Sequence, residues 1–191
     1  MVMAAVALDS KTAAALTRKG LRDSKAYGAG DDAHAIRAEL AAEIRLRAHF
    51  VVVIEVSHTE IDSRVCRNEL NVLEREIAIK MIDQAPTCDK IIADGKRMFS
   101  SLAARYEQFT SLDHAEDHHA AVAAASVCAK VRRDERFNEI RARATSPSSA
   151  RSPAADIRTR TPANGSARTA SATASCRKRP GGRGRTRTFT I

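Results

Sequence analysis

Three residues on one stretch, and one acid ahead of it, are where this chain could do chemistry. In "AVAAASVCAKVRRDERF", residues 121–137, Ser126, Lys130 and Asp134 recur at every fourth position. On a helix they fall within an arc of roughly 80° and share a face. Asp134 stands among Lys130, Arg132, Arg133 and Arg136. Taken alone, Lys130 and Asp134 form a solvated i,i+4 pair worth at most about 0.5 kcal/mol. The second acid, Asp94, ends the apolar run in "IIADGK", just before a glycine turn. Strand ends in α/β folds gather functional groups because side chains emerge there from the sheet edge. Carboxylates converging at such an edge would bind Mg²⁺, which takes hard oxygen ligands and keeps waters and phosphate oxygens in its shell.

Placing those acids together requires a sheet with a helix packed closely on it. "VMAAVAL" (2–8) reads as a buried strand, and "KGLRDSKAYGAGDD" (19–32) as a loop. Residues 33–48 put Ile36, Leu40 and Ile44 on one stripe of an amphipathic helix. The β-branched run "FVVVIEV" (50–56) follows as an interior strand. One long helix is expected from Thr59 to about Asp83, capped by Thr59 or Asp62. "DKIIADG" (89–95) is strand-like. A short helix near Phe99 to Ala104, a strand around 106–112 and the Ala-rich helix to about Ala144 complete the pattern. The order predicts an α/β domain. Alanines in the first half of the last helix let its backbone approach the sheet.

Composition sets the outer bounds. A chain of 191 residues with 43% hydrophobic content has material for one sizeable core, and its 4% aromatic content makes that core aliphatic. The longest apolar run is too short for a bilayer span, and the start "MVMAAVALDSK" lacks a secretory pattern, so a soluble cytoplasmic protein is expected. Cys66, Cys88, Cys128 and Cys176 are widely spaced, as reduced thiols are, and suggest neither a disulfide framework nor a zinc site. The net charge of +9 is unevenly spread: residues 141–191 hold 12 Arg and Lys against one acid, Asp156, while the body holds 20 against 22. That basic stretch contains four of the five prolines and no apolar periodicity, so 144–191 is expected to be disordered, beside a domain spanning 1–143.

The segments "LRDSKAYG", "EID" (60–62) with "ELNVLERE" (69–76), "IIADGK" and "AVAAASVCAKVRRDERF" resemble, in order and spacing, those of type 2 ribonucleases H, the ribonuclease HII family. The resemblance covers about residues 2–143. It implies an RNase H-like mixed sheet with flanking helices. It also implies a Mg²⁺- or Mn²⁺-dependent endonuclease that cleaves the RNA strand of RNA–DNA hybrids, including ribonucleotides embedded in duplex DNA, and works as a monomer. By match to the family's motifs, Asp94 resembles its third metal-binding acid and Asp134 its fourth. Lys25, Ser126 and Lys130 lie in segments that border the substrate backbone in the family.

Two departures carry consequences. The family's opening strand, Gly-x-Asp-Glu-x-Gly-Arg-Gly, supplies two further acids and is central in the sheet; this chain starts at a segment resembling the second strand. The centre of the sheet is therefore expected to be vacant and the site to hold two acids. The Arg, Ser, Pro and Ala composition after residue 144 departs as well, and is what a frameshift in a GC-rich gene would produce. A catalytically inactive nucleic-acid-binding remnant, acting through the basic tail, is the alternative function.

"DHAEDHH" (113–119) also offers His114, Glu116, Asp117, His118 and His119 to a metal. Adjacent His118 and His119 diverge on a helix, which favours reading Asp117 as a charge suited to a helix N-terminus. Glu69 and Asn71 read as helix surface.

Overall fold

The computed structural model describes residues 1–22, 27–28, 30–145 and 187–191. Its core is a sheet ordered β2-β1-β5-β3-β4. The strands are β1 (Val2–Asp9), β2 (Phe50–Glu55), β3 (Lys90–Asp94), β4 (Phe109–Leu112) and β5 (Arg187–Thr190). β1 runs antiparallel to β2 and β5, whereas β3 runs parallel to β4 and β5. The mixed α/β sheet expected from the sequence is present.

Strand β1 shows why the sheet is covered on both faces. Its side chains alternate. Ala4, Val6 and Leu8 join Leu16, Leu40, Ile44 and the alanines of the last helix in one cluster. Ala5 and Ala7 join Leu73, Ile77, Met81, Phe109 and Phe189 in another. The first face carries α1 (Ser10–Arg18), α2 (Asp31–Arg47) and α6 (Ala120–Thr145); the second carries α4 (Leu70–Gln84) and the short α5 (Lys96–Phe99). Small residues on both β1 and α6 permit the close approach. Ala121 and Ala123–Ala125 are buried against the sheet with Val127, Cys128 and Val131.

Four expectations need correction. The run "FVVVIEV", expected as an interior strand, forms β2 at the edge of the sheet, paired only with β1 among the described residues and partly buried. The centre of the sheet is not vacant: β5 fills it, pairing Val6 with Thr190 on one side and Ile92 with Thr190 on the other. Residues 187–190, counted with the disordered tail, are thus a central strand. "RTFT" alternates β-formers, but four residues inside a basic, polar stretch give no periodic signal. The rest of that tail, 146–186, lies outside the described residues. The single helix from Thr59 is two: α3 (His58–Cys66) and α4, separated by Asn68 at φ +57°. Ser57 caps α3, its hydroxyl accepting from the Glu60 N–H at 3.2 Å. Arg64 then ties α3 to α4 through Glu60 and Glu76. Helix α1, within a stretch for which no element is expected, starts at the Asp9 cap, whose carboxylate accepts from the Thr12 N–H at 2.7 Å.

Candidate metal and substrate site

Asp94 is the last residue of β3, and the turn behind it is fixed by Gly95 at φ +103°, a conformation L side chains rarely adopt. The Gly95 N–H donates to the Leu112 carbonyl at 2.7 Å, closing the turn onto β4. Beyond β4 the chain passes His114 at φ +57° into a short 3-10 turn, Ala115–Asp117. That turn aims the Ala115 N–H at Asp94 Oδ1, at 3.0 Å. Ala115 is wholly buried, and the next side chain, Glu116, is thereby carried to the Asp94 carboxyl.

Burial pushes the Asp94 carboxyl above the usual carboxylate range; the Ala115 N–H draws it down, and the hydrogen bond and like charge of Glu116 push it up again. The two acids line a cavity of about 350 Å³ together with Ser126, Ala129, Met3 and Ile191. Ile191 arrives there from the end of β5: its carbonyl accepts from the Asp94 N–H at 3.2 Å. The strand in the centre of the sheet thus closes one wall of the site.

Of the residues singled out by sequence, Asp94 and Ser126 share this cavity. Lys130 follows Ser126 by one turn of α6 and is partly buried. Asp134 is elsewhere. It lies eight residues beyond Ser126, about 12 Å along the helix axis. Its Oδ2 stands 3.6 Å from Arg37 and 3.9 Å from His34, and its Oδ1 accepts from Arg133 at 2.9 Å. Lys25 lies outside the described residues.

The sequence offers Glu116 only as one of five metal candidates in "DHAEDHH", and the geometry singles it out as the acid beside Asp94. Its signal was an acid in the turn before the Ala-rich helix; what hid it was a run of neighbouring acids and histidines with no means of ranking them. Among the described residues, no three His, Cys, Asp or Glu side chains gather to hold a metal by themselves. Asp94 and Glu116 nevertheless fit Mg²⁺ or Mn²⁺, since they offer hard oxygen donors in a space with room for water and phosphate oxygens to complete the shell.

Comparison with known proteins agrees with this architecture. The profile described as Ribonuclease HII matches residues 1–164. A ribonuclease HII of Methanococcoides burtonii is 31% identical over 155 residues, covering 74% of this chain and 70% of that protein. Among solved structures, the Archaeoglobus fulgidus RNase HII in complex with PCNA aligns with a TM-score of 0.59 and 24% identity, over 78% of this chain and 77% of that one. The ribonuclease H2 of Pyrococcus horikoshii aligns with a TM-score of 0.60 and 22% identity, over 75% and 77%.

Proposed function

Because the chain belongs to the ribonuclease HII family, whose members act on RNA–DNA hybrids, we propose that Asp94 and Glu116 hold a divalent cation for hydrolysis of the RNA strand. Ribonucleotides embedded in duplex DNA fall within the same reading, and Mg²⁺ or Mn²⁺ is the cation. The observation that supports it is the meeting of two carboxyls beside Ser126 at a strand end.

A bound metal would supply the charge that activates water and steadies the leaving 3′ oxygen. The chain's own contribution is positional. The Ala115 N–H holds Asp94 Oδ1 in one orientation. The apolar walls, Met3, Val122, Ala125 and Ala129, keep the dielectric low, which would strengthen the attraction between the two carboxylates and a cation, the displaced proton passing to solvent. Lys130, and on sequence grounds Lys25, would meet phosphates of the substrate backbone.

The test is direct. The parent chain, incubated with labelled RNA–DNA hybrid and Mn²⁺, should cleave the RNA strand, and an Asp94→Asn, Glu116→Gln double variant should not. Equal activity in both would exclude this pair. A second reading, salt-sensitive binding without cleavage, draws on the 12 basic residues against one acid in 141–191. Binding by a parent that leaves the hybrid intact would favour it.

A further inference from the structure

Asp134 is not among the residues lining the cavity; one of its oxygens accepts from the neighbouring Arg133 at 2.9 Å, and the other faces an unusual partner. Arg37, on the second turn of α2, is only 3% exposed. A buried guanidinium requires a counter-charge and hydrogen-bond acceptors. Its Nη2 stands 3.6 Å from Asp134 Oδ2, and its Nη1 donates to the Gly28 carbonyl at 3.2 Å. Its Nε has no hydrogen-bond partner among the described residues, which leaves the burial of this charge dependent on those two contacts.

The Gly28 carbonyl belongs to a turn that only glycine takes up readily, with Gly28 at φ +79° and Gly30 at φ +100° leading into α2. The other described end of the same segment is tied by Tyr27, whose hydroxyl donates to the Gly20 carbonyl at 2.7 Å and accepts from the Arg22 N–H at 2.8 Å. The "LRDSKAYG" motif is therefore held at both described ends. One tie is local; the other runs through Arg37 to α6, the helix that carries Ser126 to the cavity.

We infer that Asp134 is a positioning residue: acting through Arg37, it holds the Gly28 turn and the start of α2 against α6, and so sets the substrate-binding face rather than the metal site. The inference rests on the proposed nuclease reading for its substrate. Its geometry is independent of that reading. Asp134 is joined to Ser126 at the cavity by one helix and to the Gly28 carbonyl by one buried cation.

The full chain and its Asp134→Asn, Asp134→Glu and Arg37→Lys variants separate the possibilities. Binding of a labelled RNA–DNA hybrid without metal, followed by fluorescence anisotropy, is expected to weaken about tenfold or more in Asp134→Asn and Arg37→Lys, because a displaced binding surface loses aligned contacts. Asp134→Glu should recover most of it. Mn²⁺ affinity, measured by electron paramagnetic resonance, should be the same in all four chains. A loss of Mn²⁺ affinity in Asp134→Asn would make Asp134 a metal ligand and overturn the inference, as would unchanged hybrid binding in both weakened variants. Arg37→Lys keeps the buried charge and decides the matter should Asp134→Asn fail to fold. If the parent binds no hybrid, the nuclease reading fails, and the rate of trypsin cleavage after Arg22 decides the positioning role. Faster cleavage in Arg37→Lys than in the parent supports it; equal rates overturn it.

Discussion

At the scale of single residues, two acids follow opposite pH logic. Burial and Glu116 hold the Asp94 carboxyl above the usual range, so between the ordinary carboxylate pKa and that raised value the folded chain binds more protons than the unfolded one. Without metal, the Asp94 contribution therefore lowers stability as pH rises through this window. A cation competes with the same proton, so Mn²⁺ affinity is expected to fall as pH drops through the window; calorimetric titration at a series of pH values checks this. Asp9 is the reverse case. The Thr12 N–H, helped by the Thr12 and His49 side chains, draws its carboxyl down to about 2 against the opposing effect of burial. Its contribution is present above the unfolded value, 3.8, and is lost as pH falls toward about 2. Asp9→Ala removes the α1 cap and should cost about 1 kcal/mol at neutral pH in urea unfolding. That difference from the parent should shrink in acid.

At the scale of elements, β5 is the most consequential strand for its size. Four residues pair both half-sheets, and Phe189 is fully buried between them, its ring 6.1 Å from that of Phe50. Phe189→Ala should destabilise the fold by about 3–5 kcal/mol, a large part of the roughly 5–15 kcal/mol available to a domain. Chemical denaturation of the full chain measures it, and a cost below about 1 kcal/mol would mean that the strand does not carry the sheet. Its neighbour Thr190 is fully buried, and its Oγ1 has no hydrogen-bond partner among the described residues. Thr190→Val keeps the shape and removes the unsatisfied hydroxyl, so it should be neutral or stabilise by up to about 1 kcal/mol. Helices α3 and α4 teach a related lesson: continuous helical spacing did not prevent a break, because Asn68 takes the left-handed conformation and Arg64 bridges the gap.

At the scale of the whole molecule, charge is partitioned by sequence position. The body is slightly acidic, with 20 basic against 22 acidic residues, and residues 141–191 carry more than the whole net excess. Within the body, many cations of α6 are already engaged: Arg132 and Arg136 pair with Glu55 on β2 and with Glu139. They fasten the edge strand to the helix, which leaves them less to offer a polyanion. On the binding reading, the tail would therefore be the larger source of salt-dependent affinity. Replacing Arg177, Lys178 and Arg179 with Ala in the full chain should lower the slope of log binding constant against log salt by up to about 3 for duplex substrates. Anisotropy over a range of salt concentrations reads that slope. Among the described residues no helix is long and apolar enough to cross a membrane.

The sequence by itself determined the sheet strands with strong apolar runs, the Ala-rich helix, helix α2 with its buried Leu40 and Ile44 though not the exposure of Ile36, and the position of Asp94 at a strand end. Each is written in local periodicity or in an apolar run closed by a turn, which neighbouring residues suffice to express. Tertiary structure alone decided which acid stands beside Asp94. Glu116 precedes α6 and Asp134 lies in the second half of that helix; only the fold of the turn behind β4 brings Glu116 to Asp94, while Asp134 faces Arg37. It also decided what fills the sheet. A four-residue strand has too little periodicity to declare itself, and its burial is fixed by partners about half the chain away on one side and nearly the whole chain away on the other.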